Sequence, residues 1–278
     1  MNQETTSIIG FDSAWTNNPR SPGAICVIRQ GPEGTWLHLA PKLVSFHEAV
    51  QIIQSEQHLV TKCLVALDQP TIVPNLKGSR PVDKVAGSLI SWVGGGVQPA
   101  NRSKVGMFDD TAPIWRFKNA LNAVEDPETA RSAASGLFLI EVFPALALIS
   151  LNEVFCQRLA QPKYNPAVRK RFRIEHWQAV IETIRTFGLT GARSQIDEWC
   201  DEYLAKIAPR KSDQDKVDAM ICALIGLHWI VAPRDQSVAI GDLTNGYMIA
   251  PATNGIHSRL VTAAAKRGVP IDFKNESD

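Results

Sequence analysis

The chain has 278 residues, 45% hydrophobic and 21% charged, with a formal net charge of +1. This is an ordinary globular composition, long enough for one large core or two small domains. A near-zero charge supplies no general attraction to nucleic acid or to a membrane surface, so either partner has to be argued from a local patch.

Ser7 to Phe11 is a short apolar run closed by Asp12 and predicts a buried strand. Gly23–Arg29 and Gly34–Leu39 follow, separated by the turn-forming QGPEG, so three strands make an antiparallel meander. Ser45 with Glu48 three residues on is a capping-box pattern and starts a helix that runs to about His58. KCLVAL, residues 62–67, reads as a central strand and leads into Asp68-Gln69-Pro70. Residues 69–112 are irregular apart from a helix-like piece from Pro81 to Trp92. Leu137–Phe143 is a fifth strand, stopped by Pro144. Helices are expected at about 144–159, 166–187 and 192–207, then a long one from DQDKVDAM to about Ile230. A hairpin-like pair (Ser237–Ile240, Gly246–Ile249) and a terminal helix near Ile256–Lys266 close the chain. The elements sum to one α/β domain over 1–278, a mixed five-stranded sheet flanked by helices, with insertions at about 69–135 and 150–210.

The helix opening DQDKVDAM carries three acids before an apolar run. Ser212 or Asp213 suits a helix cap, and an acid in the first turn suits the helix dipole. Asp215 and Asp218 are three apart and project from the same face. Two like charges there need something positive, either a divalent ion or a Lys or Arg partner. Asp12 and Asp68 each stand at the carboxyl end of an apolar strand, where ligands of α/β sheets collect. Each alone reads as a strand-end turn residue. Together the four acids form the charge pattern that a hard, oxygen-seeking ion such as Mg²⁺ neutralises.

The ordered segments IIGFDSAW, LVALDQP, SRPVDKVAG, FLIEVFPAL, D-x-V-D-A and GYMIAP, over about residues 7–250, resemble the domain-of-unknown-function 429 family of predicted nucleases. The arrangement is also similar to the ribonuclease H-like fold, with an acidic site of the RuvC type. The resemblance implies a metal-dependent nuclease. Asp12, Asp68, Asp215 and Asp218 would be catalytic acids and metal ligands, with Glu141 a further catalytic acid. Two Mg²⁺ or Mn²⁺ ions would act together, one activating water and the other stabilising the leaving oxygen.

Other stretches bear on a substrate. Arg80 in SRPVD reads equally well as a phosphate contact and as the partner of Asp83 at a helix start. GGGVQPANRSK lacks the ending of a phosphate-binding P-loop and reads as a substrate loop. KYNPAVRKRFR supplies Lys163, Arg169, Lys170 and Arg171 with aromatics interleaved, the composition expected where a nucleic-acid backbone is tracked and bases stack. A solvated helix face is the commoner explanation for such a charge run. The six histidines show no metal-ligand spacing, and Trp15, just beyond Asp12, is the tryptophan placed to line a site.

The five cysteines are scattered without a CxxC pair and read as reduced thiols. No signal-peptide core is present at the N-terminus and no apolar run approaches the ~18 residues of a membrane span, so a cytoplasmic protein without membrane contact is expected. The leading expectation is a metal-dependent hydrolase of nucleic acid, DNA or RNA, with the question of a homodimer open. The alternatives are a catalytically silent nucleic-acid-binding or scaffold protein of the same fold and, less favoured, an actin-like phosphotransferase. Against the last, Asp12 is followed by Ser-Ala-Trp rather than a phosphate hairpin.

Overall fold

Strand residues alternate between two faces, and in this chain one of those faces is dominated by a single long helix. The computed structural model describes residues 5–187 and 194–273. β1 (Thr6–Asp12), β2 (Gly23–Gly31) and β3 (Gly34–Val44) form the antiparallel meander. α1 (Phe46–Leu59) follows, entered through the expected capping box, with the Glu48 N–H donating to Ser45 Oγ at 3.3 Å. β4 (Lys62–Asp68) pairs parallel with β1, and β5 (Gly136–Glu141) pairs parallel with β4. The result is the mixed sheet β3-β2-β1-β4-β5, with β1 in its middle.

Between β4 and β5 lie α2 (Pro81–Trp92), α3 (Pro113–Leu121) and α4 (Pro127–Ser132). Each opens with proline, whose missing N–H is not needed at a first helical position. Beyond β5 come α5 (Pro144–Leu151), α6 (Ile174–Thr186), α7 (Ser194–Leu204) and α8 (Lys211–Val231). The hairpin of β6 (Ser237–Asp242) and β7 (Gly246–Pro251) and then α9 (Asn254–Ala265) complete the chain.

Several boundaries differ from those expected. β3 continues past Leu39 to Val44, and β5 ends at Glu141 because Phe143 turns the chain into α5. α5 stops at Leu151, and a short 3-10 turn, Glu153–Phe155, replaces the rest of that helix. The helix expected over 166–187 begins only at Ile174. Asn165 caps a local turn by accepting from the Ala167 N–H at 2.9 Å, which competes with helix formation there. The basic run Arg169–Arg171 therefore sits in turns ahead of α6 rather than on a helix face. α7 begins at Ser194, and residues 192–193 of the expected helix lie outside the described residues. α3 and α4 were not anticipated.

The two faces bury different sets. Ile9, Phe11, Val65 and Leu67 pack under α1 and α3, while Ile8, Leu64, Ala66 and Ile140 pack under α8. α8 lies directly on β1. A Cβ added at Gly10 would stand 2.0 Å from the Ala219 carbonyl oxygen and 2.4 Å from the Ala223 nitrogen, so only glycine permits this approach. A separate apolar group joins α2, the β6–β7 hairpin and α9 through Val82, Ile90, Val238 and Ile256. Among the described residues no helix is long and apolar enough to cross a membrane.

Candidate active site

The contact of α8 with β1 positions the acids. Asp12 and Asp68 are Cα partners at the carboxyl ends of β1 and β4. By strand alternation they share the parity of Ile8, Leu64 and Ala66, so both face α8. Asp218 precedes Ala219, the residue of α8 that touches Gly10, and it lines the same cavity, of about 640 Å³, as Asp12 and Asp68. Ser13 Oγ donates to Gln69 Oε1 at 2.5 Å and ties the two strand ends together.

The loop after Asp12 is strained. Ala14 and Trp15 both adopt left-handed backbone conformations, with φ of 54° and 63°. For residues bearing a Cβ this costs about 1–2 kcal/mol each. Tertiary bonds hold it in place: the Trp15 indole N–H donates to the Asp68 carbonyl at 2.9 Å, and its ring packs edge-on against Phe108 at 5.3 Å. The strain sets Trp15 as a wall beside the acids, as its position in the sequence suggested.

The carboxylates carry more negative charge than the site neutralises. Burial, then the charges of Asp218 and Asp215, push Asp12 from 3.8 up to about 8, against the opposing pull of Lys211. Burial, then Asp12, Asp218 and Glu141, raise Asp68 well above its ordinary value. Asp218 rises less, to about 6, chiefly through burial, because Lys211, Tyr164 and Gln214 favour its ionised form. The Tyr164 hydroxyl donates to Asp218 Oδ1 at 2.6 Å and the Gln214 amide to Oδ2 at 2.5 Å. Among the described residues no side chain donates a hydrogen bond to the carboxylate of Asp12 or Asp68.

Asp215 is placed differently. Its carboxylate is paired with Lys211 one turn earlier, at a spacing of four residues, and it is not part of the cavity lining. Of the two explanations open for the Asp215–Asp218 pair, a direct ion pair with Lys211 holds for Asp215, while Asp218 feels the same ammonium without forming an ion pair with it. Burial opposes the Lys211 ammonium, but Asp218, Asp12 and Asp215 together outweigh it and raise its pKa. Asp213 is the third helical residue rather than the cap: the Arg210 N–H donates to its Oδ2 at 2.8 Å.

Glu141 and Arg80 form a separate, buried ion-pair group. Arg80 Nη2 lies 2.6 Å from Glu141 Oε1 and 2.8 Å from Asp83 Oδ1, and Nη1 donates to the Ile72 carbonyl at 3.1 Å. The Arg80 side chain is 0% exposed, and a Cβ on Gly246 would already collide with it. Its donors are taken by protein groups, so the ion-pair reading of Arg80 accounts for its geometry and the phosphate contact has no free face. Glu141 pairs in register with Leu67, one residue before Asp68, and so has the opposite strand parity. Burial raises its pKa and Arg80 pulls it back, so it stands at the cavity's edge with its charge already matched.

The basic segment reaches the site in part. Lys163 and Arg171 line the acidic cavity together with Tyr164 and Phe172. Lys163, Lys170, Arg171 and Arg173 line a second, adjoining cavity of about 580 Å³. Arg169 lines neither. Lys211, Gln214 and Gln69 are the site residues that were missed. Lys211 was legible as the i, i+4 partner of Asp215. The two glutamines carry no sequence signal and enter only because the folded chain brings them to the acids.

Asp12, Asp68 and Asp218 are hard oxygen donors in a buried, under-neutralised site, and in their chemistry they fit a divalent cation. They are not drawn into a ligand shell: among the described residues no group of three or more His, Cys, Asp or Glu side chains is arranged to hold a metal ion.

A family model described as protein of unknown function (DUF429) matches residues 10–241. No curated protein matches the chain, and no solved structure matches it.

Proposed function

The chain belongs to the DUF429 family of proteins of unknown function, and we propose that its cavity hydrolyses phosphodiester bonds of nucleic acid with the help of a bound Mg²⁺ or Mn²⁺. The observation that carries this is the convergence of Asp12, Asp68 and Asp218 on one cavity, where Lys211 is the cation that opposes the rise of Asp12 and Asp68. Buried like charges at this density hold protons near neutral pH or recruit a cation. The resemblance of the element order and its acids to the ribonuclease H-like arrangement supports the same reading, and the five free thiols suit a cytoplasmic protein.

In the reaction, a water oxygen forms a new bond to phosphorus, one ester P–O bond breaks, and the departing oxygen takes up a proton. The bound ion would supply Lewis acidity and a more acidic water. Asp12, Asp68 and Asp218 would hold it. Tyr164 and Gln214 fix the orientation of Asp218 through both its oxygens. Lys211 pairs with Asp215 and partly offsets its charge, which still reaches Asp12 and Asp218. Lys163 and Arg171, on the cavity wall, would attract the phosphate backbone, and Trp15 and Phe172 narrow the cavity beside the acids.

One alternative has a specific observation behind it. A catalytically silent nucleic-acid-binding protein agrees with the lack of a preassembled ligand group. Hydrolysis of bis(p-nitrophenyl) phosphate with Mn²⁺ or Mg²⁺, together with calorimetric titration of Mn²⁺, separates the two. The hydrolase turns the diester over and binds the ion, and Asp68→Asn loses both. A silent protein does neither.

A further inference from the structure

The proposed reaction leaves open which form of nucleic acid reaches the acids, and the cavity walls bear on that. The acids form the floor of a cavity whose size suits one nucleotide-scale ligand rather than a groove for a duplex. Its walls carry Trp15, Tyr164 and Phe172, flat rings on which unpaired bases stack. The adjoining basic cavity shares Lys163 and Arg171 with it and adds Lys170 and Arg173. Among the described residues none of these four cations has a carboxylate partner, although the exposed Glu175 also lines that cavity, with His176 beside it. Lys163 Nζ is held at 2.8 Å from the Gly94 carbonyl, which fixes it between the two cavities.

A second observation is independent of the charges. Gln69 is fully buried and Gln214 is 8% exposed, both line the acidic cavity, and Gln69 Nε2 and Gln214 Oε1 have no hydrogen-bond partner. A donor and an acceptor left open beside the acids point to a polar ligand that offers both.

We propose that the site takes an unpaired, single-stranded segment. Its scissile phosphodiester lies against Asp12, Asp68 and Asp218, and the neighbouring phosphate occupies the annex of Lys163, Lys170, Arg171 and Arg173. This rests on the phosphodiesterase reading. A rigid duplex fits a confined cavity poorly and leaves its bases stacked on one another, whereas a single strand bends in and stacks its bases on the cavity's rings.

The test compares a labelled single-stranded oligonucleotide with the blunt duplex of the same sequence by fluorescence anisotropy in Ca²⁺. The single strand is expected to bind at least tenfold more tightly. Lys170→Ala and Arg173→Ala should each flatten its salt dependence by about 0.7 in log–log slope, while Arg169→Ala leaves the slope unchanged. Duplex binding equal to or tighter than single-strand binding overturns the inference. So does a loss of slope at Arg169 equal to that at Lys170, since general surface charge would then explain the affinity. Turnover of bis(p-nitrophenyl) phosphate by the wild type, measured in parallel with Mn²⁺, keeps the two failures apart. With turnover, a failed strand preference removes only the single-strand assignment. Without turnover, the catalytic reading falls, and this inference with it.

Discussion

Asp12 and Asp68 are directly opposed residues on adjacent parallel strands, each ending its strand and each facing the helix that carries Asp218. Parallel pairing in register leaves two like charges side by side at the sheet's carboxyl end. Nothing in local chain geometry favours that arrangement without a neutralising partner.

Relieving the repulsion should therefore stabilise the metal-free protein. Asp12→Asn is expected to raise its melting temperature by about 2–4 °C for each kcal/mol relieved. Added Mn²⁺ should raise the melting temperature of the wild type by linkage and that of the variant much less. Differential scanning calorimetry with EDTA and with Mn²⁺ reads both effects. A variant that melts lower in EDTA and responds fully to Mn²⁺ would show that Asp12 holds the fold and not the ion.

The raised carboxyl of Asp12 gives a pH dependence of definite sign. Its folded pKa, about 8, lies above the ordinary 3.8, so the folded state holds a proton that the unfolded chain releases. Stability from this group is complete below the ordinary value and falls as pH rises toward 8, then levels off. Urea midpoints of the metal-free protein from pH 5 to 8 should decline, and Asp12→Asn should decline less steeply. Parallel profiles for the two proteins would remove Asp12 as the source.

Asp215 and Asp218 should part company on substitution. The Asp215–Lys211 pair joins a half-exposed lysine, 46%, to a largely buried carboxylate, 11%; burial outweighs the pull of Lys211 and leaves the Asp215 pKa raised, so the charged pair adds little net stability. Asp215→Asn should be nearly neutral for stability and retain most diesterase activity. Asp218→Asn should abolish it. Equal losses of activity in both variants would return Asp215 to the site.

Arg80 separates a structural cation from a substrate contact. Arg80→Met leaves Glu141 and Asp83 buried without their partner and should destabilise the protein by about 3–5 kcal/mol in urea unfolding. A variant of normal stability with weakened substrate binding would instead assign Arg80 to the phosphate.

The close approach at Gly10 is testable in the same way. Gly10→Ala forces α8 away from β1 and is expected to cost about 1–3 kcal/mol or more by overpacking. It should also weaken Mn²⁺ binding in calorimetry, because Asp218 moves with the helix. Unchanged stability would mean that α8 is free to shift.

The strands and their order in the chain were legible because continuous apolar runs bounded by turn residues are local signals, as is the capping box that opens α1. Asp12, Asp68 and Asp218 were legible for a related reason: strand ends and the face of an apolar helix are recognisable positions. Local pattern also held, unread, the Lys211–Asp215 spacing and the parity that separates Glu141 from Asp68. The helix start at Ile174 was hidden by an Asn165 turn whose hydrogen bond outcompetes a helical composition. Only the tertiary structure decided which acids share a cavity. That follows from Gly10 letting α8 rest on β1, a contact between residues more than two hundred positions apart. The same folding buried Arg80 against Glu141 and brought Tyr164, Gln214 and Gln69 to the acids. Long-range packing decides the distances between charges, and those distances decide whether an acid is matched within the fold or left to find a partner.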